Sequence, residues 1–140
     1  MSYMFYYTSS LKELDLSNFN TKSVTFMNDM FAGNENLERL VLTSFNTENV
    51  LDMSRMFQSL ENLKELDLSN FNTERVEKMR YMFYNCKNLN KLNISEFNTE
   101  NVIDTTFIFY NVPLKSICYN QKTTSNISTL IPKNANLECN

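Results

Sequence analysis

Residues 63–88 read LKELDLSNFNTERVEKMRYMFYNCKN, and this 26-residue phrase recurs through most of the chain. Leu11, Leu37, Leu63 and Leu89 are each 26 apart, as are Phe19, Phe45, Phe71 and Phe97, and Val24, Val50, Val76 and Val102. Met30, Met56 and Met82 share one phase, and Phe5, Phe31, Phe57, Phe83 and Phe109 share another. A fixed period of this length marks a solenoid, in which each unit buries its apolar face against the next. All eight methionines fall in two phases of the period, which makes them core columns rather than metal ligands or a flexible binding surface.

Within a unit, Leu14 and Leu16 alternate with Glu13, Asp15 and Ser17, the period-2 pattern of a strand with one buried face. Its copies are 39–43, 65–69 and 91–95. Long return paths between copies require neighbouring strands to run parallel. Phe-Asn-Thr follows each strand, and in three copies Glu comes next, at Glu48, Glu74 and Glu100. A hydroxyl and then a carboxylate suit a helix N-terminus. Val24, Met27, Met30 and Phe31 stand at offsets 0, 3, 6 and 7, one face of an amphipathic helix. Asn-rich stretches such as 85–88 suit the turn that ends it.

The expected fold is therefore an α/β repeat solenoid, a short right-handed leucine-rich-repeat array with a parallel sheet on one face and helices on the other. The solenoid covers 1–119: a half-repeat at 1–10, repeats starting at 11, 37, 63 and 89, and a last strand at 114–119. Residues 120–140 form a C-terminal cap, with a short helical turn expected at 126–131 and a final strand at 137–139. The half-repeat is expected to make one or two helical turns, either as a first cap or as the end of an upstream unit. Phe19, Phe45, Phe71 and Phe97 are expected to stack as an aromatic spine.

Composition narrows the function. The net charge is −3, without a basic stripe for nucleic acid. Histidine is absent and Gly33 is the one glycine, which removes the commonest general base and any Gly-rich phosphate loop. No apolar run is long enough to insert in a membrane, and MSYMFYYTSS lacks the features of a secretory leader. Cys86 reads as a small buried filler. Cys118 and Cys139 flank the cap and are expected to lie within bridging distance; whether they are bonded stays open. Asn93-Ile-Ser95 and Asn126-Ile-Ser128 match the glycosylation triplet, a weak signal in an Asn-rich chain.

The pattern LxxLDLSxFNTxxVxxMxxMF in 11–31, 37–57 and 63–83 resembles the BspA-like leucine-rich repeat family of bacterial surface proteins. That resemblance implies a surface or secreted location, adhesion or binding roles, and no catalytic residues. The expected function is a non-enzymatic interaction module for a protein or host-surface ligand; the alternative is an intracellular scaffold or effector binding a protein partner. No cofactor or metal is expected. The candidate binding surface is the exposed strand face: Glu13, Asp15, Arg39, Glu65, Asp67, Lys91 and Asn93. Its competitor is the opposite side, with Arg80, Tyr81 and Tyr84; Tyr6, Tyr7 and Tyr110 share that side. The strand at 13–17 has no earlier strand to pair with, so end-to-end self-association through that edge is also expected.

Overall fold

The computed structural model describes residues 1–122 and 124–139. Among these residues, six short strands run β1 Glu13–Asp15, β2 Arg39–Val41, β3 Glu65–Asp67, β4 Lys91–Ile94, β5 Ser116–Tyr119 and β6 Asn136–Leu137. All pairings are parallel and in the register of the repeat: Leu14 faces Leu40, Leu66 faces Leu92, and Leu92 faces Ile117. The last of these follows the shortened spacing between the fourth repeat and the final strand. The strand face consists of two ladders, β1–β2 and β3–β4–β5–β6.

The helices expected opposite this sheet do not form. Among the described residues the only α-helix is the four-residue α1, Ser125–Ser128, in the cap. The protein is a parallel β-solenoid, not an α/β array with helices on one face. Where helices were expected, each coil makes a run of tight turns whose amides bond to the next coil. Met27, Asp29, Phe31 and Gly33 donate their N–H groups to the carbonyls of Asp52, Ser54, Met56 and Gln58, at 2.9–3.0 Å. The pattern repeats one coil on, where Met53, Arg55, Phe57 and Ser59 donate to Lys78, Arg80, Met82 and Tyr84. Single bridges Phe26–Asp52, Asp52–Lys78 and Lys78–Asp104 continue the stack.

Two left-handed residues per coil make the turns incompatible with a helix: Asp29, Arg55, Tyr81 and Phe107 in one phase, and Gly33, Ser59, Asn85 and Asn111 in the other. The physical choice favours stacking. An isolated helix of two turns is marginal because its nucleus is costly. Bonds between coils satisfy alternate amides along the row and add with every repeat. The apolar residues read as a helix face are buried all the same, with Met27, Met30 and Phe31 fully enclosed.

The corner residues are reassigned for the same reason. Thr21 does not cap a helix. Its hydroxyl donates to the Asn46 carbonyl and accepts the Asn46 N–H, both at 2.8 Å. Thr47 and Thr73 likewise donate to the carbonyls of Asn72 and Asn98. A buried threonine thus clasps each coil to the next. The side chains of Asn46, Asn72 and Asn98 accept the N–H two residues on, at Glu48, Glu74 and Glu100, which shapes the turn.

The half-repeat is also not helical. Tyr3, Phe5 and Tyr7 donate to the carbonyls of Asn28, Met30 and Ala32, so residues 1–7 form an additional turn row with no strand of their own. At the other end the chain leaves β5, buries Thr124 and Ile127, and returns to β6 through residues 129–135, where Ile131 and Ala135 pack on the core. Cys118 and Cys139 are disulfide-bonded, with Cα atoms 4.7 Å apart, and the bond ties the end of the chain to β5.

Two aromatic columns run through the core. Phe5, Phe31, Phe57, Phe83 and Phe109 stack in sequence at 5.5–5.8 Å between ring centres, with planes within 11° of parallel. In the corner column Phe45 stacks on Phe71 at 6.1 Å, and Phe57 tilts against Phe71. Of the spine expected at the corner, Phe45 and Phe71 are stacked, while Phe19 tilts against Phe5, and the longer stack runs behind the turn face.

Candidate protein-binding surfaces

The strand face carries the seven candidate residues. Glu13, Asp15, Arg39, Glu65, Asp67 and Lys91 are exposed and Asn93 is half-buried. Register places Glu13 beside Arg39 and Glu65 beside Lys91, so charge alternates in sign within each ladder. Arg39 lies 3.8 Å from the Glu13 carboxylate, but both side chains are more than half exposed. Such a pair contributes little to stability and leaves both charges available. The break between β2 and β3 separates Glu13 and Arg39 from Glu65 and Lys91.

The second column has a local task as well. Asp15, Asp67 and Asn93 each accept the N–H two residues on, from Ser17, Ser69 and Ser95, at 2.9–3.1 Å. These bonds bend the chain off the end of its strand. They also hold the Asp15 carboxyl below its ordinary pKa, chiefly through the Ser17 backbone N–H and then its hydroxyl. The recurrence of Asp or Asn at this phase is thus partly turn chemistry. The freely varying column is the other one, with Glu13, Arg39, Glu65 and Lys91.

On the turn face, Tyr81, Tyr84, Phe107 and Tyr110 form a closed quartet of rings at 5.1–5.6 Å between centres. The Arg55 guanidinium lies 5.2 Å from the centre of the Tyr81 ring and extends the cluster by one coil. Tyr81 and Tyr84 are half-buried, while Phe107, Tyr110 and the neighbouring Arg80 are exposed. At the opposite end, Tyr3, Tyr6 and Tyr7 pack edge to face and are all exposed. Phe107, Arg55 and Tyr3 were missed from sequence. Their signal was a column in which Tyr3, Arg55, Tyr81 and Phe107 share a phase, but a helical projection puts it on a solvated flank.

The Cys86 thiol is fully enclosed, donates to the Phe57 carbonyl, and is pushed up to about 12 by burial. It is a packing residue, not a nucleophile. Among the described residues no cluster of three metal-binding side chains occurs, and no helix is long and apolar enough to cross a membrane.

Stacked parallel coils, enclosed core columns and variable outward columns define a repeat protein of the β-solenoid class. The chain belongs to the family described as "Mycoplasma protein of unknown function, DUF285", whose profile matches residues 1–126. No curated protein matches the chain.

Proposed function

We propose that this protein is a non-enzymatic interaction module that binds a protein or host-surface ligand, in a surface-exposed or secreted setting, through its strand face. One observation carries the reading: inward phases stay nearly fixed from coil to coil while the outward column changes sign, Glu13, Arg39, Glu65, Lys91. A scaffold with a constant core and a variable charged face suits electrostatic selection of a partner, where mixed charge favours specificity and on-rate. The Cys118–Cys139 bond supports the extracellular setting, because disulfides persist in oxidising compartments. The likeness of its LxxLDLSxFNT phrase to BspA-like surface repeats points the same way.

The test is capture of a partner by the intact array, followed by two altered arrays. Reversing Arg39 and Lys91 to glutamate is expected to weaken capture at least tenfold, while truncating Arg80, Tyr81 and Tyr84 to alanine leaves it within threefold. If only the second loses capture while both stay folded, the strand-face assignment is wrong. Failure of the native array to capture any extracellular or host-surface protein removes the adhesion reading itself.

A further inference from the structure

The turn face is one row shorter than the strand face. Turn rows lie at 1–7, 26–33, 52–59, 78–85 and 104–111, each bonded to the next through alternate amides. After β5 the chain turns through α1, and residues 129–135 lead on to β6, packing Ile131 and Ala135 on the core without forming, among the described residues, a turn row bonded to 104–111. The result is an open cleft of about 480 Å³, walled by Ile103, Asp104, Phe107, Phe109, Tyr110 and Leu130. Ile103 is 79% exposed and Phe107 and Tyr110 are each 53% exposed, an apolar surface at the cleft rim.

The turn row 104–111, most of which floors this cleft, offers donors without acceptors. In the preceding coil Met79, Tyr81, Phe83 and Asn85 donate their N–H groups to Asp104, Thr106, Ile108 and Tyr110. The equivalent amides of Thr105, Phe107, Phe109 and Asn111 have no such partner among the described residues. They recur every second residue, a spacing that a peptide backbone matches with its carbonyls and a carbohydrate does not. Residues 1–7 show that a lone turn row seats on the array without a strand beside it. A second copy stacked in continuous register is excluded on geometric grounds: its first strand would need the place that β6 holds, and β6 is tied down by the disulfide.

We propose that this cleft binds a single extended peptide segment of a partner protein, whose alternate carbonyls accept from Phe107, Phe109 and Asn111 and whose apolar side chains pack on the exposed rings of Phe107 and Tyr110. It rests on the protein-binding reading but not on the strand face. The chain's first row supplies the register. Carried up by the offset between rows, the carbonyls of Ser2, Met4 and Tyr6 would meet those three amides.

A synthetic MSYMFYY peptide with a two-lysine tail is therefore the probe, added to the full chain and followed by amide exchange in NMR spectra. Exchange at Phe107, Phe109 and Asn111 is expected to slow about tenfold at saturation, with the Glu13–Asp15 amides unchanged. Phe107→Ala together with Tyr110→Ala, both at exposed positions, should weaken the peptide at least fivefold without altering the fold. The proposal is overturned if millimolar peptide leaves the three amides unprotected or if protection falls on β1. It also falls if the same amides become protected with rising protein concentration alone, since the occupant is then a second copy. None of these outcomes depends on Arg39 or Lys91, so failure here is separable from failure of the strand-face reading.

Discussion

At the scale of single residues, the sole glycine shows how tightly neighbouring coils constrain each other. Gly33 is left-handed at φ +77°, but Ser59, Asn85 and Asn111 adopt the same conformation in the equivalent place. Backbone freedom alone does not explain the glycine. Its space does: a Cβ built there would lie 2.7 Å from the Tyr7 ring of the first row. Gly33→Ala is therefore expected to destabilise by about 1–3 kcal/mol, through the displaced ring and the left-handed backbone together. Adding Tyr7→Ala should recover part of that loss, because the ring is removed and only the backbone cost remains. Chemical denaturation of the two single variants and the double variant measures the coupling directly. Additive losses would show that Tyr7 is not what excludes a side chain at this position.

At the scale of elements, the strands, the period and the core columns were legible because each leaves a side-chain pattern. Leu14 and Leu16 alternate against polar neighbours, and the shortened spacing into the last repeat located β5. The turn face was not legible, since offsets of 0, 3, 6 and 7 fit an amphipathic helix and a run of tight turns equally well. What decides between them is a set of amide bonds to residues 25 positions away, and those bonds involve no side chain. One hint was present: Gly33, Ser59, Asn85 and Asn111 share a phase, and glycine and asparagine favour left-handed backbone. In the companion phase only Asp29 favours such backbone; at Arg55, Tyr81 and Phe107 stacking imposes the conformation. The candidate surface was legible as exposed columns; its turn-shaping bonds were not. The corner column allows a graded test. Phe71 is fully buried, stacks on Phe45 and packs against Phe57, while Phe19 at the array's start is only half-buried. Phe71→Ala is expected to cost about 3–5 kcal/mol and Phe19→Ala distinctly less, because one neighbouring coil is missing. Equal shifts in thermal melting would mean that the corner phenylalanines do not act as a stacked column.

At the scale of the molecule, stability in a stacked array is a sum over coils and the contacts between neighbours, so the ends govern where it opens. The C-terminal end has the thinnest cover. β6 is two residues long, both exposed, and Ile127 of α1 is fully buried. The Cys118–Cys139 bond closes a segment with a sequence separation of 21 and so restricts the unfolded chain by on the order of 3 kcal/mol. Reducing it, or replacing both cysteines with serine, should therefore lower stability by about that amount. The loss should not spread evenly. Amides of β5 and β6 are expected to lose protection first, because they depend on the cap. Those of Met53, Phe57 and Val76, two or more coils inward, should keep their ranking. Hydrogen exchange of the oxidised and reduced forms separates this from a globally cooperative fold. If reduction speeds exchange by the same factor from row 26–33 to β6, the array opens as one unit and nearest-neighbour stacking is not what limits it.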